Sequence, residues 1–249
     1  MTKLFIAGHS DSTAQHLAEG ELPWTERLRA WIESETGTPC ELQGVRFVPL
    51  GSRAVDYLLD AVEAAAPDIL ILPFSAYVCT FTTVEESVRQ RFGERAQRFY
   101  LRGEKRFAAA TTSTPLVPVN RGGRKFVRTV LGTRALATTE QTTVIYEEIL
   151  RRLARFEALQ VVAVADARFS EETQKRNPRM HREIDRMQAR LLPVVAQHHF
   201  LLADLEAALR HAPDRSVFYQ ADGVHTTVKF HDVFFDVLKD VMSSAGVLR

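Results

Sequence analysis

Cysteine is scarce in this chain: 249 residues contain two, Cys40 and Cys79. Two thiols so placed offer neither metal-ligand spacing nor a disulfide framework, so both are expected to be buried structural thiols in a reducing compartment. No apolar run approaches the roughly 20 residues that span a bilayer, so no membrane span is expected. The N-terminus has no basic region followed by a long apolar core, so no secretory signal is expected and a cytoplasmic location is. The turn after the first apolar run, GHSDSTA, lacks the glycines of a dinucleotide fingerprint, and no GxxxxGK[ST] loop occurs. That argues against a nucleotide binder. Internal repeats and low-complexity tails are also lacking, and no cofactor or metal is expected.

Net charge is only +1, but its distribution is uneven. Between Arg89 and Arg134 stand twelve Arg or Lys against Glu94 and Glu104, so that window carries +10 and the rest of the chain −9. Two readings stay open. One is a solvated helix and loop balanced by acidic surface; the other is an electropositive face that recruits an anionic substrate or acidic partner. The aromatics in the window follow no RNA-binding motif, and no nucleic-acid partner is expected.

What is present is an alternation of strands and helices. Strands are expected at 3–7, 45–50 (VRFVPL), 69–74 (ILILPF), 161–165 and 199–204. Between them the 3.6-residue period predicts helices at 23–35, after a Ser52 cap, from a Thr83–Glu86 capping box to about 100, and at 140–158 and 178–197, the last bent at Pro193. A final helix is expected at 226–243. Residues 108–138 show no period and read as an insertion or lid. The expected fold is a single three-layer α/β/α domain over 1–249 with a basic insertion at about 83–138. Its five-stranded parallel sheet takes the flavodoxin-like order 2-1-3-4-5. Ligands of such sheets sit beyond the carboxyl ends of the strands, which directs attention to GHSDS, PFSAYVC and DGVHTT.

A serine hydroxyl needs a base to become a nucleophile, and a histidine braced by a carboxylate supplies one. Asp222 and His225 lie three residues apart on one turn. The serine here follows the first strand, and GHSDS lacks the second glycine of a nucleophile elbow, so the order of parts excludes the α/β-hydrolase arrangement. The blocks LFIAGHSDST, VPLGSRAVDYLLDAV, APDILILPFSAY and FLLADLEAAL with DGVHTT resemble the SGNH, or GDSL-type, hydrolase family over most of the chain. The resemblance implies Ser10 as nucleophile, His225 as general base and Asp222 as its orienting acid. Ser12 is the alternative register, with Ser10 favoured. It also implies an oxyanion hole of the Ser10 N–H, Gly51 and a third donor. The family's asparagine is absent, and Ser75 or Tyr77 stands in that region, with Tyr77 slightly preferred or the donor lost. His9 replaces the family's aspartate and is a substrate-contact candidate. In the lid, Arg121, Arg124, Lys125 and Arg128 would favour an anionic acyl substrate, free or carrier-bound. The expected activity is a serine-dependent acyl hydrolase or acyltransferase; the alternative is a catalytically impaired binding or regulatory module for an anionic ligand or acidic partner.

Overall fold

Short apolar segments that bury both faces become the central strands of one parallel sheet, because only helices on both sides can cover them. The computed structural model describes residues 1–8, 12–111 and 133–248, without the side chains of 103–111 and 176. The strands of this sheet are β1 (Thr2–Gly8), β2 (Cys40–Arg46), β3 (Ile69–Pro73), β6 (Gln160–Ala165) and β7 (Leu201–Asp204), in the order β2-β1-β3-β6-β7. All neighbours pair in parallel, and counted within this sheet the order is 2-1-3-4-5. A separate two-residue pair joins β4 (Thr82–Thr83) to β5 (Arg134–Ala135).

The helices are α1 (Trp24–Thr36), α2 (Ala54–Ala65), α3 (Tyr77–Thr80), α4 (Val84–Thr111), α5 (Thr139–Leu153), α6 (Glu171–Arg176), α7 (Met180–Gln197), α8 (Leu205–Leu209) and α9 (Val228–Ala245). Alternate strand residues divide the core. Leu4, Ile6, Ile69, Ile71, Val162 and Val164 share one cluster with Trp24, Leu28 and Ile32 of α1 and Phe230, Phe234 and Leu238 of α9. The opposite strand faces, Phe5, Leu70, Leu72 and Ala163, are equally buried, on the side where α2 meets α5 and α5 meets α7. The result is three layers, α/β/α.

The described chain divides into two compact units, Met1–Ala76 with Thr139–Arg249, and Tyr77–Thr138. The first holds the whole parallel sheet. In the second, α4 bends at Gly93, whose φ of 84° is left-handed and ordinarily reserved for glycine. Arg91, Arg95, Arg98 and Arg102 are exposed along it, as are Phe92 and Phe99.

Several expected boundaries move. The second strand is Cys40–Arg46, not 45–50: VRFVPL is apolar, but its last residues leave the sheet after the Phe47 N–H bonds the Gly8 carbonyl at 2.8 Å. Ser52 does not cap α2; Arg53 takes that position with no side-chain bond, after a left-handed Gly51. Half of the capping box forms, with Thr83 Oγ1 accepting from the Glu86 N–H at 3.1 Å. The Glu86 carboxylate turns instead to Arg89 and Gln90. The helix from this box is interrupted at the non-helical Gly93, and the stretch beyond that kink runs to Thr111, past the expected 100. Cys40 and Cys79 are both free and buried. No helix among the described residues is long and apolar enough to cross a membrane.

Candidate active site

Three segments of the first unit are candidates: the residues after β1, the stretch after β3, and the loop before α9, which follows β7 by way of α8 and a 3-10 turn (Arg215–Phe218). The last is the most completely defined. Tyr219 and Thr226 form an antiparallel bridge, closing a short loop in which Gln220 N–H donates to the His225 carbonyl at 2.7 Å. Gly223 N–H donates to the Gln220 carbonyl, also at 2.7 Å. Gly223 is left-handed, with φ of 74°, and a Cβ there would lie 2.2 Å from Thr173 Oγ1. No other residue type fits. Thr173 in turn donates to the Gly223 carbonyl at 2.9 Å and lies 3.1 Å from Ser170 Oγ. Helix α6, which the sequence analysis did not separate, thus buttresses this loop from outside. Its local signal was Ser170 three residues before Thr173, a helix cap.

Inside the loop Asp222 serves two purposes. Its Oδ1 accepts from the N–H groups of Val224 (2.8 Å) and His225 (3.0 Å), and its Oδ2 lies 2.5 Å from His225 Nδ1. Partial burial pushes the Asp222 carboxyl up, but the Val224 N–H, the His225 ring and the His225 N–H outweigh it and hold the group below the usual carboxylate range. An ionised carboxylate only accepts, so Nδ1 is the nitrogen that donates to it, and in a neutral imidazole of that tautomer the lone pair lies on Nε2. That is the protonation pattern of a general base. Both side chains are partly exposed, within reach of a reactant.

The face of the His225 ring is covered by His16, a residue the sequence analysis passed over. His16 ends a 3-10 turn (Ala14–His16) that follows β1, and the two ring centroids are 3.7 Å apart at 33°. The Gln220 side chain donates to the His16 carbonyl and so joins residues 204 apart in sequence. No local signal marked this contact.

His9 and Ser10 lie outside the described residues, as do Arg121, Arg124, Lys125 and Arg128. The residues on either side of 9–11 are described. Ser12 folds back on the end of β1: a Cβ at Gly8 would fall 2.1 Å from Ser12 Oγ. Among the described residues Ser12 Oγ makes no hydrogen bond to His225. A cleft of about 570 Å³ opens beside this turn, lined by Gly8, Ser12, Ile6, Leu22, Leu42 and Val45 among others.

The candidate oxyanion donors differ in their surroundings. Gly51 is exposed and left-handed (φ 84°), and its N–H has no acceptor among the described residues. Ser75 is 7% exposed. Its N–H donates to the Tyr146 hydroxyl at 2.8 Å, and Tyr146 donates to the Pro73 carbonyl at 3.1 Å. Its own hydroxyl has no hydrogen-bond partner among the described residues. Tyr77 is half-exposed, stacks on Phe81 at 4.7 Å and belongs to the second unit. Among the described residues no group of three or more His, Cys, Asp or Glu is placed to hold a metal ion.

No protein-family model matches the sequence, and no curated protein sequence does. Solved structures do match. An acetylxylan esterase, Axe2, from Geobacillus stearothermophilus superposes with a TM-score of 0.58 at 12% identity, over 97% of this chain and 94% of that one. A lipase/acylhydrolase from Enterococcus faecalis gives 0.57 at 13% identity, over 98% and 97%. The psychrotrophic esterase EstA from Pseudoalteromonas sp., in a structure inhibited by monoethylphosphonate, gives 0.55 at 11% identity, over 98% of each chain. What they share with this chain is the fold.

Proposed function

We propose that the protein is a serine-dependent acyl hydrolase of the SGNH type, with Ser10 as nucleophile, His225 as general base and Asp222 as the acid that orients it. The observation that carries the reading is the Asp222–His225 pair: a 2.5 Å contact through Nδ1 that reserves Nε2 for a reactant, on the loop that precedes α9. That the neighbours in fold include a named esterase, a lipase/acylhydrolase and an acetylxylan esterase supports it.

In this mechanism Nε2 takes the Ser10 hydroxyl proton as the oxygen attacks the ester carbonyl carbon. The carbonyl electron pair moves onto oxygen, and the oxyanion is met by the N–H groups of Ser10 and Gly51. For the third donor we assign Ser75 over Tyr77. The Ser75 hydroxyl is buried just after β3 with no hydrogen-bond partner among the described residues, and a buried hydroxyl gains from a ligand that uses it. Collapse of the intermediate expels the alkoxide, which takes the proton from His225 and leaves an acyl-serine. Water, deprotonated by the same nitrogen, releases the carboxylic acid; an alcohol or thiol in its place gives transfer. The cleft beside Gly8 and Ser12 has room for the acyl group. Arg121, Arg124, Lys125 and Arg128 favour an anionic acyl carrier, so reversing their charge is expected to slow anionic esters more than neutral ones.

The test is intact-mass detection of a fluorophosphonate adduct. One adduct on wild type and on Ser12→Ala, absent from Ser10→Ala, is the expected result. A folded wild type that stays unlabelled and hydrolyses no p-nitrophenyl ester would favour the binding-module alternative. Ser75→Ala is expected to lower kcat by about tenfold to a hundredfold with the adduct retained.

A further inference from the structure

Asp222 fixes one edge of the His225 imidazole, but a single hydrogen bond leaves the ring free to rock about it. The stack on His16 acts on the face, at 3.7 Å between centroids and 33° between planes. Both sides of the stack are tied to one residue. The Gln220 amide donates to the His16 carbonyl and, at 3.3 Å, to the Thr226 carbonyl, and its main-chain N–H donates to the His225 carbonyl at 2.7 Å. Upstream, Thr25 Oγ1 donates to the Ser12 carbonyl at 3.1 Å, and Thr13 Oγ1 accepts from the Gln15 N–H at 3.4 Å. The 3-10 turn that presents His16 is therefore held at its start and at its end.

We propose that His16 is a positioning residue for the general base: its ring is a flat wall that restricts His225 to the plane in which Nδ1–H meets Asp222. This rests on the acyl-hydrolase reading for its effect on turnover, though not for its effect on the ring. His16 acts through His225 and exchanges no proton with substrate. Misplacement of a catalytic group by about 1 Å costs on the order of a hundredfold in rate, and loss of one of two restraints is expected to cost part of that.

The experiment compares wild type with His16→Ala and His16→Phe in two readouts. One is kcat and KM for p-nitrophenyl acetate. The other is the far-downfield proton NMR signal of the Asp222–His225 hydrogen bond, which reports on the ring irrespective of catalysis. His16→Ala is expected to lower kcat by about tenfold or more, to leave KM within about twofold, and to broaden the downfield proton into exchange with water. His16→Phe keeps a flat ring and is expected to restore both. Where His16→Ala does not fold, His16→Gln takes its place with the same expected losses. An alanine variant with wild-type kcat and an unchanged downfield proton would overturn the proposal, as would a phenylalanine variant as impaired as alanine. A wild type without turnover refutes the acyl-hydrolase reading alone. In that case a downfield proton lost in His16→Ala and kept in His16→Phe still supports the positioning role.

Discussion

Both carboxylate oxygens of Asp222 are engaged. One oxygen meets the ring N–H and the other meets two main-chain N–H groups. Asparagine has one carbonyl oxygen, so Asp222→Asn either turns its NH2 toward the ring and inverts the tautomer or turns it toward the Val224 and His225 N–H groups and loses them. Steady-state kinetics on p-nitrophenyl acetate are expected to show kcat lower by on the order of a thousandfold or more, with little change in KM. Gly223 is as constrained for a different reason. Gly223→Ala places a methyl against Thr173 and forces an L-residue to φ of 74°, a cost of roughly 2 kcal/mol or more. The denaturant midpoint is expected to fall, and activity to fall further because the same loop carries Asp222 and His225. A wild-type midpoint would contradict this. At this scale Asp222 and His225 were legible because their contact is local and set by spacing. His16 was not, because its partner lies over 200 residues away and nothing near it in sequence records the contact.

At the scale of the element, α1 shows how one helix is seated by another. Its first N–H, on Trp24, donates to Nδ1 of His231 in α9 at 3.1 Å, and His231 Nε2 lies 3.2 Å from Thr226 Oγ1. Trp24 also stacks on Phe234 of α9, with centroids 4.3 Å apart and planes 5° from parallel. His231→Phe preserves aromatic bulk but removes the acceptor of a buried N–H, at about 1–3 kcal/mol. A denaturation midpoint within error of wild type would contradict that role. The apolar face of α1 was plain in its period, and so were β3 and the 161–165 stretch of β6, whose residues are buried on both sides. β2 was misplaced because it is an edge strand with polar, half-exposed residues, while the more apolar VRFVPL beside it reads as a better strand. The cap of α2 was misjudged because the left-handed Gly51 sets where the helix begins, and φ is not written in residue type alone.

For the whole molecule, acid is the informative variable. In Glu86 the Arg89 hydrogen bond holds the carboxyl low against burial. In Glu206 burial pushes the carboxyl up, but the Arg215 guanidinium and the Arg168 N–H hold it below its usual range. Glu206 and Arg215 pair at 2.7 Å, and Arg215 also donates to the Arg168 carbonyl at 3.1 Å. Groups depressed in the folded state stabilise it fully above the unfolded value, about 4.3 for glutamate, and lose that contribution as pH falls through the folded value. Burial and the nearby Arg168 hold His181 below the usual histidine value of 6.5. Stability is therefore expected to start falling as pH drops below about 6.5, and to fall further below about pH 4.5 as the glutamates protonate. This lower limb is expected to be less steep in Arg215→Met, where Glu206 has lost its partner. Identical profiles for the two proteins between pH 6 and 3 would contradict this. The strand order was legible at this scale because β-α alternation leaves few topologies. The loop-to-loop pairing of the two histidines was not, since no pattern of elements specifies which turns meet.

That pairing has a consequence for biosynthesis. The turn bearing His16 is synthesised about 200 residues before its partners Gln220 and His225. Contacts of such sequence separation form late and slowly. Until the later segment has been made and has docked, the His16 turn has neither the Gln220 amide to hold its carbonyl nor the His225 ring to stack on.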